Sequence, residues 1–381
     1  MAGLYIHIPF CRKRCNYCSF VSFEGRLHLI QQYISCLKRE AVLTVEAGLT
    51  DGLSFDTVYF GGGTPSLLPA DSIPGLIDHL LSMLPVSSEN GLEISFECNP
   101  ESVHTPLLHA LRKAGVNRIS LGIQDLTEKG LSTLGRIHSV SDAKRAVRKI
   151  REFGFKNLSV DIIYGLPGQD VRLLERTLTE AVSLGPTHVS AYELTVEKET
   201  RLYQKVKKGE MTLPGQDERL ELTRFLETFL EARGINQYEI SNFATDGFEC
   251  RHNVNYWKCG DYLGLGCGAV SYINGTRYFN TTDINDYMKR TEAKELPVSQ
   301  RERLDRMTRF RETFVMSLRM TRGVELVSLK NRFQIDPLSH YGGLIEEMCQ
   351  NGLMEMDDRK TRLKLTERGR YISNYVLSHF V

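Results

Sequence analysis

The 381-residue sequence has no run of about 18 uninterrupted apolar residues, so no membrane-spanning helix is expected. It also lacks a charge imbalance. Lys and Arg number 48 against 47 Asp and Glu, and the net charge of +1 gives no global case for nucleic acid or an anionic membrane surface. No internal repeat or low-complexity tract stands out, which argues against solenoids and disordered tails. A first strand beginning by about residue 3 leaves no room for a signal peptide. Nine cysteines, odd in number and irregularly spaced, argue against a disulfide scaffold and for a reducing compartment, so a cytoplasmic location is expected. Hydrophobic content of 41% and charged content of 25% are ordinary for a globular protein, with length enough for one large domain and a smaller one.

What is present is a cysteine cluster. In Gly3–Val21, GLYIHIPFCRKRCNYCSFV, Cys11, Cys15 and Cys18 follow an apolar run across a Pro9-Phe10 step. Three thiolates on one loop can hold three irons of a [4Fe–4S] cube, leaving the fourth iron open to an exogenous molecule. Structural zinc asks for four protein ligands, and no fourth Cys or His lies close downstream. Inert core thiols are the third reading, at odds with Arg12, Lys13 and Arg14 on the same loop.

The first two-thirds of the chain alternates strand and helix patterns. Strands are expected at Leu4–Ile8, Thr57–Phe60, Leu92–Glu97, Arg118–Gly122, Leu158–Ile163 and His188–Tyr192. Helices are expected near Arg26–Ala47, Pro74–Leu84, Pro106–Ala114, Ser141–Phe153 and Leu173–Leu184, several with a glycine just past the end. Six β-then-α repeats imply a parallel sheet whose functional residues sit just after the strands. Periodicity does not separate a partial barrel from a flat doubly wound sheet. A linker-like stretch, Glu197–Gly215, precedes a helix near Gln216–Arg233, and residues 234–296 are aromatic- and Gly-rich with little helical signal. From about residue 297 a helix at Arg303–Met320, an apolar-periodic segment at Leu338–Asn351, a hairpin-like Leu353–Leu365 and a last helix from Thr366 suggest a winged-helix-like α+β unit. Its basic excess is slight, so DNA binding is not expected. The expected division is therefore 1–215, 216–296 and 297–381.

Polar residues punctuate these strands. Gly61-Gly62-Gly63-Thr64-Pro65 follows the second strand, and its glycines let a ligand approach the backbone. Glu97 closes the third strand, Gln124 follows the fourth, and Arg136 lies twelve residues further on. Asp161 interrupts the apolar run of the fifth, where an unpaired carboxylate would be costly to bury. Each alone reads as a structural hydrogen-bonder; gathered at one sheet end they suit a polar, cationic ligand. His138 reads equally as a surface residue or a ligand.

CRKRCNYC resembles the Cys-x3-Cys-x2-Cys signature of the radical S-adenosylmethionine (SAM) proteins. Its flanks, YIHIPFC and NYCSF, and the stretch SVDIIYGLPGQ (Ser159–Gln169) are similar to the family that contains oxygen-independent coproporphyrinogen III dehydrogenase and the HemW-type heme chaperones. The resemblance implies a partial (βα)6 TIM-like barrel. It implies a [4Fe–4S] cluster on Cys11, Cys15 and Cys18, and SAM against Tyr5, Tyr17, Gly62, Gly63, Thr64, Glu97, Gln124, Arg136 and Asp161. It further implies one-electron cleavage of SAM to a 5′-deoxyadenosyl radical. The dehydrogenase carries a fourth cysteine two residues past the third, where Phe20 stands here, and an N-terminal extension absent here. Residues 252–257, His-Asn-Val-Asn-Tyr-Trp, match the HNxxYW motif of the heme chaperones instead. On the residues alone this is a His-Asn turn with two core aromatics. With the resemblance it implies heme bound by His252, with a thiolate from the flanking Cys250 or Cys259 as the other candidate ligand. The expected function is transfer of heme to acceptor hemoproteins, with coproporphyrinogen III decarboxylation as the alternative and a porphyrinogen as its ligand. A homodimer is left open. Cys36, Cys98, Cys267 and Cys349 are assigned no role.

Overall fold

The computed structural model describes residues 2–87 and 91–381. Six parallel strands run side by side in chain order: β1 (Ala2–Ile8), β2 (Phe55–Gly62), β3 (Glu93–Cys98), β4 (Arg118–Gln124), β5 (Asn157–Tyr164) and β6 (His188–Glu193). A seventh, β7 (Tyr262–Leu265), pairs parallel to the free side of β1, so that Tyr5 stands opposite Gly264. Antiparallel strands extend both ends, Asn242–Ala244 beyond β6 and Val270–Ile273 beyond β7. The end strands of this 12-stranded sheet are not paired with each other, so the sheet stays open.

Parallel strands covered on both faces usually read as continuous hydrophobic runs. Here they alternate. Val58, Phe60, Ile94, Phe96, Ile119, Leu121, Val160 and Ile162 are buried on one face and form a single core with the covering helices. The opposite face carries Thr57, Ser95, Arg118, Ser120, Ser159, His188 and Ser190, all buried too. A buried polar face survives only if its groups find one another. Ser120 donates to Asp161 at 2.9 Å, Ser159 Oγ lies 2.8 Å from His188 Nδ1, and Tyr59 donates to Glu97 at 2.9 Å. Side chains from β2 through β6 line one cavity, which requires the sheet to curl around it. The α/β fold is a partial barrel with a polar interior.

Helix Ile30–Glu46 is buried along Tyr33, Leu37 and Ala41 against this sheet. Its Glu40 ties β7 and the residues after it to the barrel, accepting from Gly266 N (2.8 Å), Asn280 Nδ2 (2.6 Å) and Tyr287 Oη (2.6 Å). Residues 306–380 build a separate core around Phe310, Phe314, Leu329, Ile345, Leu363 and Phe380. Three helices (Arg306–Ser317, Leu326–Phe333, Pro337–Gln350) precede the hairpin of Met354–Met356 and Arg362–Leu365, the winged-helix arrangement expected.

Several elements depart from the sequence reading. The stretch read as a linker contains helix Arg201–Lys207. The region read as poor in helix contains Arg251–Trp257 and Ile284–Glu292. Helix Arg251–Trp257 has no side-chain cap of its own; Glu93, on β3, accepts from the amides of Arg251 and His252 at 3.2 Å each. A carboxylate at a helix N-terminus satisfies orphan donors and opposes the helix dipole. No local signal announces a cap supplied from 158 residues away.

Candidate functional site

The cysteine loop leaves β1 and is held at both ends. Phe10–Cys11 pairs with Phe23–Glu24 as a two-stranded ribbon. Asn16 donates from its amide to Leu134 O and from its side chain to Thr133 O, each at 2.9 Å, at the end of helix Glu128–Leu134. That helix stops at Gly135 with φ of 74°, where a Cβ would come within 2.7 Å of Asn16. Glycine both caps the helix and lets the loop dock. The next residue, Arg136, thereby reaches the cysteines.

A cavity of about 490 Å³ opens beside this loop. Cys11, Cys15 and Cys18 line it together with Tyr17, Gly62, Gly63, Thr64, Glu97, Gln124, Arg136 and Asp161. Two of the thiols are linked by a chain of polar contacts. Cys11 Sγ lies 3.6 Å from Thr64 Oγ1, Thr64 accepts from Asn99 Nδ2 at 3.0 Å, Asn99 accepts from Arg136 Nη2 at 2.7 Å, and Arg136 Nη1 donates to Cys15 Sγ at 3.3 Å. Burial pushes the Cys11 and Cys18 thiols up, and charge on the neighbouring cysteines pushes both further. Those two sulfurs therefore become thiolates only beside compensating positive charge.

Among the described residues, no three Cys, His, Asp or Glu side chains gather closely enough to share one metal ion. A cube takes each thiolate at a different iron, so its ligands stand further apart than those of a single zinc. Three cysteines at one cavity are one donor short of a structural zinc site and match a cube that leaves one iron open.

The second strand ends at Gly62, φ 114°, where a Cβ would sit 2.6 Å from His7. Its amide donates to Glu97 Oε2 at 3.2 Å. Burial, reinforced by Asp161, raises the Glu97 carboxyl to about 7. Asp161 is also raised by burial despite accepting from Ser120. Two enclosed carboxyls, both raised by burial, favour a cationic occupant. On β4 the register shifts between Gly122 and Gln124, and Gln124 has φ of 63°, a costly value for a residue with a Cβ. The bulge turns its side chain into the cavity.

Two expected residues stand elsewhere. Tyr5 does not line this cavity; its hydroxyl lies 2.9 Å from His7 Nδ1 and its ring stacks on Tyr59 and His252. His252 lies beneath the barrel wall, 1% exposed, with Nδ1 2.9 Å from Thr57 Oγ1 and Nε2 2.9 Å from Tyr256 Oη. Both ring nitrogens are thus engaged. His138 is buried, its Nε2 3.2 Å from Ile123 O, and does not line the cavity.

Sequence reasoning missed Arg118, Asn99, Ser120 and Ser190, which also line the cavity. Arg118 is 1% exposed and its Nε has no hydrogen-bond partner among the described residues. The signal was there: a charge at the head of an apolar strand, the same anomaly that singled out Asp161.

A second cavity, about 930 Å³, lies between the barrel's β7 side and helix Arg306–Ser317. It is lined by Tyr5, Tyr256, Tyr262, Tyr272, Val315 and Met316, among others, and shares Ser19 and Phe20 with the first.

Residues 5–181 match the Radical SAM superfamily and residues 304–372 the HemN C-terminal domain. A Bacillus subtilis protein called heme chaperone HemW is 33% identical, the alignment covering 100% of this chain and 99% of its own. Its Mycobacterium tuberculosis (strain H37Rv) namesake is 34% identical over 98% of this chain and 93% of its own. The Escherichia coli one is 36% identical over 74% and 73%. Among solved structures, coproporphyrinogen III oxidase (HemN) from Escherichia coli, a radical SAM enzyme, superposes with a TM-score of 0.86 at 23% identity, covering 100% of this chain and 89% of that one. The chain belongs to the radical SAM superfamily, in the HemN-like family that holds the proteins called heme chaperone HemW.

Proposed function

We propose that this protein is a cytoplasmic heme chaperone. It holds a [4Fe–4S] cluster on Cys11, Cys15 and Cys18, binds SAM in the adjoining cavity, carries heme, and passes it to acceptor hemoproteins. The observation that carries the cofactor half is the convergence of three thiols with Glu97, Gln124, Arg136 and Asp161 on one cavity. The heme half is supported by the names of relatives that align along nearly the whole chain.

When bound, the cluster supplies single-electron chemistry toward a sulfonium. The rest falls to the chain's own side chains. Glu97 and Asp161 offer negative charge to a cation. The Arg136 guanidinium holds the Cys15 sulfur while Asn99 fixes its other face. Gly62 and Gly63 leave the β2 turn open to close backbone approach. We further propose that residues 1–215 form the cluster-binding unit, 216–296 its heme-facing extension and 297–381 the cover of the second cavity.

Heme titration followed by the Soret band, then incubation with an apo-hemoprotein, tests this reading. Stoichiometric binding followed by transfer of the band supports it. Conversion of coproporphyrinogen III by reconstituted protein with SAM and reductant would replace it with the decarboxylase reading.

A further inference from the structure

We infer that a third pocket, where the C-terminal unit meets Lys258, binds a small phosphate-bearing anion, a phosphate ester or a diphosphate, through Lys258 and Arg322. This pocket has a volume of about 370 Å³ and shares no lining residue with the two cavities above, so the inference is independent of the SAM and heme readings. Four cations line it, Lys258, Arg322, Arg332 and Arg362, against one acid, Glu325. A concavity lined by one sign of charge focuses the field and concentrates counter-ions.

The four cations divide into two pairs. Arg332 donates to Lys258 O at 2.9 Å and to Cys259 O at 2.6 Å, and Arg362 donates to Arg322 O at 3.4 Å. Arg332 and Arg362 thereby brace the backbone that presents Lys258 and Arg322. Neither the Lys258 ammonium nor the Arg322 guanidinium makes a hydrogen bond or salt bridge to a described residue. Asp56 and Glu249 attract them from further off, and Asp56 is already paired with Arg251 at 2.8 Å. Burial pushes both cations down, with Arg322 adding to the effect on Lys258 and Arg362 to that on Arg322. An anion between them relieves that repulsion.

The remaining walls agree. Helix Leu326–Phe333 begins at the pocket with no side-chain cap, so its positive end adds to the field. The Glu325 carboxylate beside it accepts from Ser328 Oγ at 2.7 Å. An ammonium and a guanidinium facing one space suit phosphate, which has oxygens for both. Met320, Val324 and Leu329 give an apolar wall to an organic portion.

The test is calorimetric titration of the full-length protein with inorganic pyrophosphate at low salt, for wild type, Lys258→Gln, Arg322→Gln and Arg148→Gln. Circular dichroism and cluster iron content, before and after, confirm that each protein is intact. Wild type binds one equivalent, and each of the first two variants binds about tenfold more weakly. Arg148→Gln, an exposed charge on the barrel, matches wild type. Wild type that takes up no pyrophosphate, or equal affinity in Lys258→Gln and Arg322→Gln, overturns the site. Parallel arms use phosphatidylglycerol vesicles and duplex DNA, which present phosphate on a surface. Retention by either without pyrophosphate binding overturns the small-molecule assignment.

Discussion

His252 Nε2 and the hydroxyl of Tyr256, one helical turn further on, lie 2.9 Å apart, with the two rings edge to face. Thr57 Oγ1 stands 2.9 Å from the other ring nitrogen. The imidazole is thus wedged between strand and helix, and Tyr256 separates it from the second cavity, which Tyr256 lines.

That placement predicts an imidazole that stays neutral. Burial, with Arg118 adding to it, lowers His252 to about 3 from 6.5. The folded ring refuses a proton that the unfolded chain accepts. Its contribution to stability is complete above pH 6.5 and is lost as pH falls toward 3. Nitrogen-15 NMR should show a neutral ring throughout pH 5 to 8; a transition near 6.5 would mean the ring is exposed. His252→Ala should cost about 2–4 kcal/mol in urea unfolding, from lost packing and two stranded hydroxyls.

On the proposed function, Glu97 should set a pH dependence for SAM. Its carboxyl, raised to about 7, must be ionised to attract a sulfonium or ammonium. SAM affinity, measured anaerobically by calorimetry, should therefore weaken as pH falls through 7. Glu97→Gln should bind about tenfold more weakly at pH 8. Its affinity should vary less with pH than the wild type's; an equal slope in both would remove Glu97 from the site.

Glu40 should act on folding rather than on ligands. Burial raises its carboxyl from 4.5 to about 7, although Tyr287, Gly266 and Asn280 all donate to it. Its folded form favours the proton, so its contribution is complete below pH 4.5 and is lost as pH rises through about 7. Denaturation curves across that window should show Glu40→Gln losing part of the slope. Glu40→Ala, which strands three donors, should cost about 3 kcal/mol or more.

The parallel strands were legible because each is a compact apolar run between helical patterns, and their ends marked Glu97, Gln124 and Asp161. Tyr17 was placed by resemblance, and the local reason for Arg136's reach, the Gly135 turn against Asn16, emerges only in three dimensions. β7 was not legible. Its pairing with β1 joins residues some 260 positions apart, and Gly264 and Gly266 blur any alternation. Helix Arg251–Trp257 was hidden for a related reason: His, Asn, Val, Tyr and Trp are indifferent helix formers, and Glu93 supplies the missing cap from another strand. Tyr5 is level with Tyr59 on the neighbouring strand but turns its hydroxyl to His7 and lines the second cavity instead.

On the proposed function, three thiolates hold an iron–sulfur cube whose open iron takes SAM. The direct measurement is electron paramagnetic resonance on anaerobically reconstituted, reduced protein, with and without SAM, alongside iron and sulfide analysis. About four irons and four sulfides per chain, a signal that changes shape when SAM is added, and its loss in Cys15→Ser are the predicted result. One equivalent of zinc with no such signal, or a cube indifferent to SAM and to Cys15→Ser, would contradict it.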